Sequence, residues 1–229
     1  MTTMIRQTAS GKMWGPDYLE VIDRDFHKAS RLARGEFVVK DLDEAIEEAK
    51  KNIWVTESVE EVKEACETLA ALPSNQIISY DLETTSLDPW SSDARILTAQ
   101  FGFRDGDKYR AIVIPLWHRD NRLYDADEAW PFLVPILLGP NPKVGHNLKF
   151  DILYTAVTKS VRLANAAFDT MLLLHALNSG LKGNYGLKRA VWDWLPESGL
   201  GGYEDKLPKL TRIKPGDDEE EENEVETEA

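Results

Sequence analysis

The sequence has a single cysteine, Cys66, so neither an internal disulfide nor a CxxC metal or redox pair can form within it. Its four histidines, His27, His118, His146 and His175, stand in no zinc-ligand spacing such as HExxH, which argues against zinc chemistry. No apolar run approaches the ~20 residues that a membrane-spanning helix requires. The opening MTTMIRQTASGKMWGPDYLE has no apolar block followed by a small-residue cleavage site, so the cytoplasm is the expected setting, without a membrane partner. Positive charge is scarce as well: 27 Lys and Arg face 40 Asp and Glu, for a net charge of −13. That balance runs against the basic face by which nucleic-acid binders usually meet phosphates. However, nine of the acidic residues lie between Asp217 and Glu228, with no basic residue among them, and the rest of the chain carries only −4. A mildly acidic core permits a site that binds phosphate through metal ions rather than through Lys and Arg.

At 229 residues the chain can hold one well-buried domain of about 150 residues with extensions. Residues 1–51 read as an N-terminal extension, with a short apolar stretch at Phe37–Val39 and a helical-looking DLDEAIEEAKK. From Asn52 the pattern is regular. NIWVTES reads as a strand running into a helix, with Ser58 and Glu61 in capping-box spacing and Val59, Val62, Ala65, Cys66 and Leu69 on one face. Cys66 is then a buried structural thiol. QIISYDLE reads as a strand whose apolar run suggests burial on both faces. RILTAQFGF and YRAIVIPL follow across the turn-like RDGDK, so three successive strands form an antiparallel meander. Helix and strand then alternate: DEAWPFLVPILLG, KVGH, NLKFDILYTAVT, AAFDT and TMLLLHALNS. The expected class is α/β, a central mixed sheet (antiparallel meander, then parallel strands) with helices on both faces. The domain spans 52–200, and 201–229 forms a linker and an acidic, solvated tail.

Within SYDLETTSLDP, Asp81 and Glu83 stand two apart on a strand and so share one face. Two like charges held together and partly desolvated are costly unless a divalent cation compensates them. A D-x-E pair alone is common at strand ends; VGHNLKFDILY adds a second constellation. There Asn147 and Asp151 stand four apart on one helix face, flanked by Leu148 and Ile152, which should pack inward. Asp151 then lies against an apolar surface and needs a partner. If its helix crosses the strand of Asp81, three carboxylates meet. Asn147 is equally readable as a helix cap. Asp169 in FDT reads as the cap of the helix that follows it. Trp90, Phe150 and Tyr154 are candidates for stacking on frayed bases, against the alternative that each is core.

Together YDLETTSLDP, GHNLKFDILY and FDTMLLLHALNS resemble the DEDD superfamily of 3′→5′ exonucleases, most closely the proofreading domain of family A DNA polymerases, over approximately Asn52 to Leu195. The resemblance implies a ribonuclease H-like fold and hydrolysis of single-stranded DNA 3′ ends to nucleoside 5′-monophosphates. Two divalent ions, Mg²⁺ or Mn²⁺, would be held by Asp81, Glu83 and Asp151. It also implies that Thr84 and Leu87 touch the terminal nucleotide, that Asn147 orders the substrate or its surroundings, with the ring of Phe150 as a further candidate contact, and that a family A polymerase is fused to or associated with the domain. A ribonuclease D or Werner-type exonuclease shares the first two motifs.

The family also uses a third motif, Tyr or His followed four residues later by Asp. Four on from His175 stands Ser179, from Tyr185 Arg189, and from Tyr203 Leu207; none is acidic. Three readings follow: the chain is the front part of a longer or split polymerase, or Glu204 or Asp205 in GGYEDKL is a substitute ligand, or the domain is a catalytically silent single-strand-binding module.

Overall fold

The computed structural model describes residues 17–36, 38–117, 126–177 and 185–200. Helices α1 (Asp17–Ala33) and α2 (Leu42–Lys50) come first, α2 being the helix anticipated at DLDEAIEEAKK. After them run β1 (Ile53–Val55), α3 (Val59–Ala70), β2 (Ile78–Thr84), β3 (Ile96–Asp105), β4 (Lys108–Pro115), α4 (Ala126–Leu138) and β5 (Lys143–Gly145). The chain continues through α5 (Leu148–Lys159), β6 (Ala166–Asp169), α6 (Thr170–Leu177), α7 (Leu187–Trp194) and a 3-10 turn at Pro196–Ser198. The capping box forms with one arm displaced: Ser58 Oγ accepts from the Glu61 amide at 3.2 Å, while the Glu61 carboxylate reaches back to the Glu57 amide at 2.9 Å.

The six strands lie in the order β1-β4-β3-β2-β5-β6. Strands β2, β3 and β4 form the antiparallel meander; β5 joins β2 and β6 joins β5 in parallel, and β1 adds parallel to β4 at the other edge. The mixed sheet is therefore the one expected, but β2 is not buried on both faces. Ile78, Tyr80 and Leu82 are buried while Ser79, Asp81 and Glu83 are exposed. Polar residues at alternate positions of ISYDLET dictate this, because side chains alternate across a strand.

Register carries the apolar face across the sheet: Tyr80 stands opposite Phe101 and Leu82 opposite Ala99, which in turn face Ile112 and Ile114. These residues form one cluster with Val62 and Leu69 of α3, Leu133 and Leu137 of α4, and Leu148 and Tyr154 of α5. Cys66 belongs to it, and burial pushes its thiol up to about 12. Lys143 is buried too; its ammonium donates to the Gly139 carbonyl at 2.6 Å, just past the end of α4, where the helix dipole favours a cation.

Helix α5 is pinned to β2 by the Tyr80 hydroxyl and Thr155 Oγ1, 2.8 Å apart and buried. Tyr80→Phe keeps the packing and strands the Thr155 hydroxyl, so urea denaturation should show a loss of ~1 kcal/mol. An unchanged midpoint would mean that this bond adds nothing to the α5–β2 contact.

Candidate active site

Asp81 and Glu83 project from the face of β2 opposite to Tyr80 and Leu82. Strand β5 pairs with β2 at Ile78 and Ser79 and then turns into α5. Further along β2, Asp151 Oδ1 accepts from the Leu82 amide at 3.0 Å. The carboxylate of α5 thereby takes the acceptor position that a longer β5 would have filled, on the peptide between Asp81 and Glu83. This is the partner that a buried aspartate requires, since Asp151 is only 2% exposed.

The turn from β5 into α5 is tight. A Cβ at Gly145 would lie 3.0 Å from the Tyr80 carbonyl, so only glycine allows this approach. Asn147 occupies the N-cap position in left-handed backbone, φ 62°, and its side chain makes no capping bond, so the cap reading of that side chain is corrected. Its amide instead donates to Asp169 Oδ1 at 3.0 Å, and the same oxygen accepts from the amides of Met171 at 2.9 Å and Leu172 at 3.4 Å. Asp169 is thus the cap of α6, as its place before the helix implied, and also a clamp on the start of α5.

Asp81 is exposed, yet the protein around it removes part of its hydration and raises its pKa. Glu83 is raised by burial and then by the charge of Asp81. Asp151 is pushed up to about 7, first by burial and then by Asp81; its backbone hydrogen bonds oppose this, and Asp169 adds a further push. The charge of Asp81 thus acts on both Glu83 and Asp151, and that of Asp169 on Asp151. Among the described residues no group of three His, Cys, Asp or Glu side chains is gathered to hold a metal ion. The donor chemistry fits a hard divalent cation, because every donor is a carboxylate oxygen and the mutual repulsion is what such a cation relieves.

The other sequence candidates divide. Thr84 is half-buried and donates through Oγ1 to the Ser86 carbonyl at 2.9 Å, bracing the loop after β2. Leu87 in that loop is 87% exposed. Phe150 is half-buried, its ring 5.4 Å from that of Tyr154. Tyr154 is a correction: it is fully buried, with its hydroxyl donating to the Arg95 carbonyl at 3.4 Å, so it cannot stack on a base. Tyr203, Glu204 and Asp205 lie outside the described residues.

Two polar residues on β3 escape a reading by motif. In register, Gln100 faces Asp81 and Thr98 faces Glu83, so all four share the open face of the sheet. Gln100 Nε2 donates to Thr98 Oγ1, and its buried Oε1 has no hydrogen-bond partner among the described residues. The signal was the spacing of two in TAQ, which acquires meaning only once the register with β2 is known.

No curated protein matches the chain. Among solved structures, an apo-form nuclease is 23% identical with a TM-score of 0.42, covering 63% of this chain and 60% of its own. Escherichia coli RNase D, an exoribonuclease involved in structured RNA processing, is 20% identical with a TM-score of 0.47, covering 72% and 39%. Brucella melitensis NrnC with bound Mg²⁺ is 17% identical with a TM-score of 0.39, covering 62% and 59%. The chain thus spans less than two thirds of each of these proteins. A family model described as 3′-5′ exonuclease matches residues 53–192, more than half of the sequence and all of the strands from β1 to β6. The chain belongs to that 3′-5′ exonuclease family.

Proposed function

We propose that the domain removes nucleotides from single-stranded DNA 3′ ends as nucleoside 5′-monophosphates by two-metal-ion catalysis, in a proofreading role beside a family A DNA polymerase. The observation that carries the reading is the seat of Asp151 on the Leu82 amide, between the two carboxylates that project from β2. Asp81, Glu83 and Asp151 would hold the ions, Mg²⁺ or Mn²⁺. Bound there, such ions supply a nucleophilic water at neutral pH and stabilise the leaving oxygen. The chain's own contribution is to fix these carboxylates on a strand and a helix that the Tyr80–Thr155 bond locks together. Leu87, Thr84, Asn147 and Phe150 surround the terminal nucleotide in this reading, with Leu87 free to touch it. The third motif lies beyond this sequence in a longer or split polymerase, or Glu204 or Asp205 substitutes for its carboxylate.

One observation favours a second reading, a catalytically silent single-strand-binding module: no Tyr or His after Asp169 is followed four residues later by an acidic residue. The two separate on 5′-labelled single-stranded DNA with Mn²⁺, with an RNA strand of the same sequence alongside. The exonuclease should produce a ladder that Asp81→Ala, Glu83→Ala weakens by ~10³ or more, since single electrostatic groups already contribute ~10²–10³. A ladder insensitive to the double substitution, or none, removes the enzyme; retained binding without a ladder assigns the module.

A further inference from the structure

Between β2 and β3 the chain makes a loop, residues 85–95, whose neck is closed three times. The Thr85 amide donates to the Arg95 carbonyl at 3.1 Å, Thr85 Oγ1 to the Asp93 carbonyl at 2.9 Å, and the Arg95 amide back to Thr85 Oγ1 at 2.9 Å. Inside the loop, Ser86 Oγ donates to the Asp88 carbonyl, the Trp90 amide to Asp88 Oδ1 and the Ser91 amide to the Asp88 carbonyl, at 2.9, 3.0 and 3.2 Å. Pro89 is buried beneath it, and Tyr154 ties its base to α5. This is the build of an Ω-loop, ordered by its own hydrogen bonds.

Such order normally serves to bury apolar side chains, yet this loop holds two of them out: Trp90 is 67% exposed, beside the freely exposed Leu87. The loop leaves the C-terminal end of β2, just past Asp81 and Glu83. Because β5 runs parallel to β2, this is also the edge at which α5 brings in Asp151. An indole on an ordered loop at that edge has already lost its backbone freedom, so binding there costs little further ordering. Its flat face accepts any base regardless of sequence.

We propose that Trp90 is a stacking platform for a base of the bound single strand, a contact separate from the Leu87 position that the family resemblance supplies. This rests on the nucleic-acid reading above, and the test keeps the two apart. The full chain, with Trp90→Ala and Trp90→Phe variants, is titrated in calcium-containing buffer with a 3′-fluorescein-free, 5′-labelled thymidine oligonucleotide and with one carrying abasic sites near its 3′ end. Trp90→Ala should weaken the intact strand roughly tenfold and the abasic strand hardly at all, and Trp90→Phe should keep most of the affinity. Because the side chain is exposed, Tm should not move. Equal affinity of the wild type and Trp90→Ala for the intact strand, or equal weakening on both strands, overturns the proposal while leaving the exonuclease reading intact. A wild-type chain that binds no single strand overturns both.

Discussion

Asp151→Asn should make the fold more stable near neutral pH while removing any metal-dependent activity. The carboxyl of Asp151 stands at about 7 where an ordinary aspartate stands near 3.8, so the folded protein holds its proton more tightly than the unfolded chain does. The stability this gives is complete below pH ~4 and is lost as the pH rises through ~7, a difference of ~4 kcal/mol. Asparagine keeps an oxygen for the Leu82 amide and has no charge to desolvate. The advantage of the variant should therefore grow across that window and approach ~4 kcal/mol near pH 7.5. Urea denaturation of both proteins near pH 5 and near pH 7.5 measures it. A variant less stable than the parent at both values would refute the account in which burial and the neighbouring charge of Asp81 raise this group.

The second large effect is expected at Gly145. An added Cβ would meet Leu148 Cδ1 at 2.7 Å, Leu148 Cβ at 3.1 Å and the Tyr80 carbonyl at 3.0 Å. The carbonyl belongs to the central strand and cannot retreat, so the start of α5 must move instead. Gly145→Ala should cost ~2–3 kcal/mol, in the range of an overpacked core. It should also lift Asp151 from the Leu82 amide, so that this amide exchanges its hydrogen faster than its neighbours on β2. If the variant is as stable as the parent and Leu82 stays protected, the close approach is not what seats Asp151.

Most of the architecture was legible because α3 to α6 declare themselves by hydrophobic pattern, by turn residues and by caps such as Ser58 and Asp169 that act within three residues of their own position. Long-range relations were not legible in the same way. Helix α1 lies in a segment read only as an N-terminal extension, and its Phe26 is 72% exposed. The apolar run of QIISYDLE concealed an alternation in which Asp81 and Glu83 share an open face. Phe150, Tyr154 and Trp90 look alike as aromatics near a motif; only packing separates the buried hydroxyl of Tyr154 from the exposed indole of Trp90. Thr98 and Gln100 belong beside the carboxylates through a strand pairing that no local pattern encodes. The seat of Asp151 was half legible: its need for a partner followed from apolar flanks at helical spacing, but a backbone amide as that partner requires knowing where β5 stops.

The alternation along β2 has one more consequence. Hydrophobic and acidic residues are interleaved one by one, so the strand has no neutral way to misalign. A slip of a single residue against β3 would drive Asp81 and Glu83 into the oily side and turn Tyr80 and Leu82 out to water. Correct folding and correct placement of the acidic groups are thus enforced by the same step, and a chain that mispairs there forfeits its stability before it can present a faulty site.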